Sequence, residues 1–191
     1  MAENQVIVLL PGSIRKKEGL VLEAHSSVTL VRCGETNIIV DTSSLERRGR
    51  LLRSLEEHGL SPSDVDILVS THLHGDHTAN NDLFPEARKL ARGEEIPPRD
   101  YEAVFEDEDI FEGVHLLHVP GHTRGSMALL VDGDRRYAIA GDALPTRDNY
   151  VKWVPPGLNY DPDTALRSMR RIVDLAEVII PGHDPPFEVD R

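Results

Sequence analysis

Apolar and polar positions follow two different periods along this 191-residue chain. Short apolar runs bounded by Gly, Pro, Asn or Asp occur at 6–10, 28–32, 37–40, 65–70, 114–119, 126–131, 136–140 and 178–180, and each reads as a strand. Gly34-Glu35 and Gly133 are turn signals that fold two pairs of these runs into hairpins. A longer period appears twice. Leu45, Leu51, Leu52 and Leu55 gather on one side of a predicted helix over 45–58, which Gly59 stops. Leu166, Met169, Val173 and Ala176 form the stripe of a second helix, opened by Asp161 as cap and Pro162 at the first helical position. Weaker signals place a helical turn at Ser61-Pro62-Ser63-Asp64 and a short helix over 78–81. They also place short strands at 88–90 and 101–105, with an exposed loop around Pro97-Pro98 between them.

Helices interleaved with hairpins indicate an α/β fold with mixed sheets rather than a simple doubly wound sheet. Five strands end at a polar residue or cluster: Asp41, the run beginning at His72, His122, Asp142 and His183. Loops at strand ends collect chemistry because a rigid sheet aims their side chains. One edge of the sheets is therefore expected to serve as an active-site rim.

Size and composition suit one domain over 1–191, with 39% hydrophobic residues to fill a core. A formal charge of -12, from 33 acids and 21 bases, disfavours a broad phosphate-binding surface. The acidic stretch Glu102, Glu106, Asp107, Glu108, Asp109 and Glu112 reads as a solvated face. Cys33 is the only cysteine, which excludes an intrachain disulfide and a thiolate-rich metal site; it reads as a small buried hydrophobe. The start Met1-Ala2-Glu3-Asn4-Gln5 lacks a basic region and the 6–10 run is too short to cross a bilayer. A cytoplasmic location with no membrane partner is the resulting expectation.

The densest chemistry lies in Ser70-Thr71-His72-Leu73-His74-Gly75-Asp76-His77-Thr78, three imidazoles and a carboxylate within six residues. His72 and His74 are spaced to face one metal, with His122 as a plausible third ligand. Asp76 and His77 point differently, toward a neighbouring metal that His183 can complete. Asp142 is the natural bridging carboxylate, since its two oxygens can reach both ions. His25, His58, His115 and His118 read as structural or surface residues, and Ser70 has no support as a nucleophile.

These residues resemble the metallo-β-lactamase superfamily. Its His-x-His-x-Asp-His motif stands here as His72 to His77, its Pro-Gly-His-Thr segment as Pro120 to Thr123, its Gly-Asp as Gly141-Asp142, and its last histidine as His183. The resemblance runs from Val6 to His183. It implies an αββα sandwich with helices on the outer faces. It implies one metal on His72, His74 and His122, a second on Asp76, His77 and His183, and Asp142 shared between them. Zinc is favoured by these ligands, with iron or manganese as alternatives. Where the superfamily often has Asp-Thr-Gly, this chain has Asp41-Thr42-Ser43. Asp41 is expected to accept a hydrogen bond from a ligand histidine or nearby backbone, and Ser43 to have no need of positive φ.

The implied chemistry is hydrolysis by a metal-bound hydroxide, with Asp76 and Asp142 as the catalytic carboxylates. The compact acidic chain favours a small ester, thioester or lactone as substrate. The stretches Val8-Leu9-Leu10-Pro11-Gly12, Asn80-Asn81-Asp82-Leu83-Phe84-Pro85 and Pro181-Gly182-His183-Asp184-Pro185-Pro186-Phe187 resemble a branch with an animal member linked to cleavage of histone pre-messenger RNA. That resemblance implies the alternative of a phosphodiesterase or ribonuclease with an RNA partner. A noncatalytic metal-binding protein is the third reading. Substrate selection is expected from Asn80, Asn81, the 92–100 loop and the 144–160 segment, which carries Arg147, Tyr150, Lys152, Trp153 and Tyr160. The sequence sets no oligomeric state.

Overall fold

The computed structural model describes residues 4–190, so the ends of the 1–191 span, including Met1 to Glu3 of the start discussed above, lie outside it. In chain order the strands are β1 (Gln5–Leu10), β2 (Ser13–Lys17), β3 (Leu20–His25), β4 (Val28–Cys33), β5 (Thr36–Val40), β6 (Ile67–Val69), β7 (Arg88–Arg92), β8 (Tyr101–Val104), β9 (Glu108–Phe111), β10 (Val114–His118), β11 (Met127–Asp132), β12 (Arg136–Gly141), β13 (Val178–Pro181) and β14 (Phe187–Glu188). The α-helices are α1 (Arg48–Glu57), α2 (Gly75–Thr78), α3 (Arg147–Lys152) and α4 (Pro162–Leu175).

Twelve strands form two six-stranded mixed sheets, ordered β1-β4-β5-β6-β7-β8 and β14-β13-β12-β11-β10-β9. Period-two patterning explains how they stack. Ile38 and Val40 of β5, with Ile67 and Val69 of β6, meet Leu116, Leu129, Ile139 and Ile180 of the other sheet in a shared core. The intervening Ile39 and Leu68 point outward onto Leu51 and Leu55 of α1. In the second sheet, Ala138, Ala140 and Ile179 likewise face outward onto Met169 and Ile172 of α4. Successive side chains on a strand leave by opposite faces, so each apolar central strand needs cover on both sides. The result is an αββα sandwich, the metallo-β-lactamase fold.

Cys33 is buried in the inter-sheet core, and burial pushes its thiol up to about 11. The predicted α4 matches the structure: Asp161 accepts from the backbone N–H groups of Asp163 and Thr164, and Pro162 opens the helix. Several boundaries shift. The 45–58 region begins with a 3-10 turn (Leu45–Arg47), and Leu45 and Leu52 are exposed while Leu51 and Leu55 are buried. The short helix expected at 78–81 lies instead at Gly75–Thr78, inside the histidine-rich run. The β2–β3 hairpin forms a separate two-stranded sheet that the apolar pattern did not reveal. Among the described residues, no helix is long and apolar enough to cross a membrane.

Candidate metal centre

The sandwich brings the predicted donors to one edge, each just past a strand: His72, His74, Asp76 and His77 after β6, His122 after β10, Asp142 after β12 and His183 after β13. Three groupings result. His72, His74 and His122 converge; Asp76, His77 and His183 converge; and Asp142 sits with His72 and His77 between them. His122 Nε2 lies 3.2 Å from His72 Nε2 and 3.0 Å from His74 Nδ1. Nitrogens about 2.0–2.1 Å from a tetrahedral ion stand roughly 3.3 Å apart, so this spacing suits a shared cation. Asp142 Oδ1 is 3.3 Å from His77 Nε2 and 3.2 Å from His183 Nε2, while its Oδ2 is 3.5 Å from His122 Nε2. His183 Nε2 is also 3.4 Å from Asp76 Oδ2.

The far side of each ring fixes which nitrogen faces inward. His122 Nδ1 is 2.7 Å from the Leu158 carbonyl oxygen and His183 Nδ1 is 3.1 Å from that of His25. A carbonyl only accepts, so both Nδ1 atoms carry protons and both Nε2 atoms present lone pairs to the cluster. His77 Nδ1 donates to Asp41 Oδ2 at 2.7 Å. Asp41 also accepts from the Thr71 backbone N–H and hydroxyl, so one carboxylate locks the entry to the histidine run. His77 Nε2 and Asp142 Oδ1 face each other, fully buried, and neither has a hydrogen-bond partner among the described residues. Buried acceptors of this kind are costly unless a cation or proton stands between them.

Charge on the site follows the same logic. Burial holds His72 and His122 below the ordinary imidazole pKa, so both stay neutral and free to ligate. Burial alone would lower His77 as well, but Asp41 and Asp142 on either side raise it well above 6.5. Burial alone would raise Asp142, but His77 and His183 hold it well below 3.8. His183 is raised by Asp142 against the same opposing burial. The donor set therefore fits divalent ions: soft-enough nitrogens, hard carboxylates, and paired lone pairs awaiting positive charge.

The surroundings correct several expectations. Ser43 has φ 64 and Asp41 has φ 57, so the Asp-Thr-Ser corner does use the left-handed region. Ser43 adopts it without glycine because its hydroxyl donates to the Ser26 carbonyl and its residue bridges to Thr78. Asn80 and Asn81 are buried, not on the rim: the Asn80 amide donates to the carbonyls of Thr42 and Ser44, and Asn81 contacts Thr42, Ser70 and Tyr101. Tyr150 stacks on Phe187, Trp153 lies under the Arg170 guanidinium, and Lys152 is paired with Asp148. The 144–160 segment does wall the cleft over the donors, through Pro145, Thr146, Asn149 and Pro156 to Leu158 rather than through its cations and aromatics; the facing wall, Ile14, Lys16, Val21 and Ala24 of the hairpin, was missed. Alternation of Ile14 with Lys16 was the available signal, masked by four charges within Arg15 to Glu18.

Comparison with known proteins agrees with this geometry. The Metallo-beta-lactamase superfamily model matches residues 22–109 and 92–183. The chain belongs to the metallo-β-lactamase superfamily. A protein named as a metallo-hydrolase from Methanocaldococcus jannaschii is 36% identical over 96% of this chain and 89% of its own length. Metallo-beta-lactamase domain-containing protein 1 of Xenopus laevis is 36% identical over 97% of the chain and 82% of that protein. A structure of Bacillus thuringiensis AiiA with N-decanoyl-L-homoserine bound at the active site shares the fold, with TM-score 0.77, 22% identity, and coverage of 96% of this chain and 93% of that one. As a superfamily member the chain is a metal-dependent hydrolase, and its fold implies divalent metal binding at candidate His and Asp groups.

Proposed function

We propose that the protein hydrolyses a small ester, thioester or lactone at a binuclear centre, with zinc as the favoured metal. His72, His74 and His122 would hold one ion, Asp76, His77 and His183 the other, and Asp142 both. Bound there, two divalent ions would lower the pKa of a water and polarise the oxygen that gains charge. The chain's own residues supply the rest. Asp76, which is part-exposed on the cleft side, would orient that water and take up its proton. Asp142 holds the two clusters in one frame through its opposed oxygens.

The observation that carries the substrate class is the cleft above the donors. It measures about 460 Å³, within the range of small-molecule sites, and Ile14, Val21, Ala24, Pro145, Pro156 and Leu158 give it aliphatic walls suited to an acyl chain. Lys16 is the one Lys or Arg among the residues lining it. A phosphodiesterase acting on RNA calls for a basic, aromatic-lined channel, and Tyr150, Trp153 and Lys152 of 144–160 are engaged elsewhere. Support for the lactone end of the class comes from a Bacillus relative named N-acyl homoserine lactonase, 29% identical over 71% of the chain.

Metal analysis of the native protein, coupled with a panel of thioesters, lactones, β-lactams, bis-p-nitrophenyl phosphate and short RNA, tests the reading. Two equivalents of zinc and preferential turnover of the acyl compounds are expected. Turnover confined to the phosphodiesters would replace the substrate class, and a single equivalent of iron would replace the binuclear zinc centre.

A further inference from the structure

Glu95 lies outside every donor group, yet its carboxylate joins the two loops that carry the three-histidine cluster. Its Oε2 accepts from the Leu73 backbone N–H at 3.1 Å, between His72 and His74. Its Oε1 accepts from the Gly125 backbone N–H at 3.0 Å, three residues beyond His122. The surrounding backbone is shaped for this contact. A Cβ added at Gly125 would stand 2.7 Å from Glu95 Cγ and 2.8 Å from Oε1, so only glycine lets the carboxylate come this close. Glu95 itself ends the 3-10 turn Gly93–Glu95, where Gly93 packs flat against the Phe105 ring.

The two clusters are therefore braced differently. His77 and His183 are held by acceptors on their own rings, Asp41 and the His25 carbonyl. Among the described residues His74 has no such ring partner; its Nδ1 faces His122. The position of His74 thus depends on the backbone at Leu73, which Glu95 holds. We infer that Glu95 is a positioning residue that sets the affinity of the three-histidine cluster for metal, leaving the Asp76–His77–His183 cluster to its own supports. Partners one step behind a ligand typically alter metal affinity by about 10–100-fold.

The test uses zinc titration of metal-stripped protein against a chromophoric chelator. His183→Ala protein retains the three-histidine cluster, and His74→Ala protein retains the other. Glu95→Gln keeps the size but offers one acceptor oxygen, turning an amide NH₂ onto the second backbone N–H. Affinity in the His183→Ala background is expected to fall about 10–100-fold, while the His74→Ala background is unchanged. Gly125→Ala, which displaces the same carboxylate, should reproduce the pattern without touching Glu95. Cobalt spectra of the His183→Ala protein should change with either substitution. The inference is overturned if Glu95→Gln leaves the His183→Ala titration as it was, or if both backgrounds weaken equally alongside a lowered Tm of the metal-free protein. If neither background binds zinc before Glu95 is altered, the binuclear reading fails, separately from this inference.

Discussion

On the floor of the cleft, His72 and His77 are wholly buried, and His183 and His122 are 2% and 7% exposed. On the wall above them, Leu20, Val21 and Leu22 of the hairpin are 69%, 54% and 47% exposed. The floor side chains come from four strand ends of two sheets, and the rings of His77, His122 and His183 are held from behind by a carboxylate or carbonyl. The wall pairs only β2 with β3. Segments with few buried apolar contacts open at low free-energy cost. The contrast teaches a division within the cleft: the floor is fixed in one geometry, and the hairpin side of its wall is thinly supported.

The hardest break of this comparison is at the centre of the floor. Asp142→Ala removes the carboxylate that faces His77, His122 and His183, leaving three converging lone pairs or charges without their counter-group. Gly182 packs against Asp142 so closely that a Cβ there would strike its Oδ1. Metal analysis should show less than two equivalents, and turnover should fall by more than the roughly 10–100-fold expected for residues behind the ligands. Unchanged turnover in folded, metal-depleted Asp142→Ala protein would sink the metal-hydrolase reading.

Asp41→Asn makes a smaller break. Asn tolerates the left-handed backbone at this position, so the corner is preserved while the carboxylate is lost. An amide NH₂ turned toward His77 Nδ1 favours the tautomer whose Nε2 carries the proton, which cannot ligate. Zinc affinity of the Asp76–His77–His183 cluster should drop about 10–100-fold, and the three-histidine cluster should keep its own. Equal weakening of both clusters would show that Asp41 supports the whole edge rather than one ring.

The fold and the floor were legible because their signals are local and dense. Short continuous apolar runs such as 38–40 and 178–180 name buried strands, and seven donors in strand-end loops point to one edge. The hairpin side of the wall was illegible for two physical reasons. Arg15, Lys16, Lys17 and Glu18 break the apolar alternation of β2, and the hairpin buries too little to leave a pattern. Composition also misled: the aromatics of 144–160 promised a substrate platform, but Tyr150 and Trp153 fill the outer core over the second sheet. Ser43 shows a third limit, since its positive φ is imposed by contacts with Ser26 and Thr78 that only the folded corner brings together.

Protons sharpen the comparison by acting on the floor alone. Asp142 is depressed well below 3.8, so it stabilises the metal-free fold above that value and the contribution is lost as pH falls through its lower folded pKa. His77 is raised well above 6.5, so its contribution is complete below 6.5 and is lost as pH rises through the elevated value. His72 and His122, held below 6.5 by burial, act the other way and cost stability as pH falls under 6.5, so metal-free protein should be most stable near 6.5, with Tm falling on both sides. Metal displaces protons from these ligands, so added zinc should raise Tm more at pH ~8 than at pH ~5. A zinc-induced Tm rise independent of pH would mean that the ion binds away from His77 and Asp142.

The smallest effect is expected on the wall, and it tests whether that wall reads charge. Arg15 is taken by Glu23 at 2.5 Å, whereas Lys16, on the cleft side of the same strand, has no ion pair among the described residues. Two divalent ions would contribute four positive charges against the two of Asp76 and Asp142, so the loaded cleft and Lys16 together favour a substrate with an anionic group. An exposed charge pair is worth about 0.2–1 kcal/mol, or roughly 1.4- to 5-fold in affinity. Lys16→Ala should raise KM for a carboxylate-bearing thioester by that factor, leave kcat within about twofold, and leave neutral esters unaffected. Lys16→Glu should widen the gap in the same direction. If acids and neutral esters respond alike, the hairpin shapes the cleft without reading charge, and selection on this side would rest on Ile14, Val21 and Ala24, which line it with apolar surface.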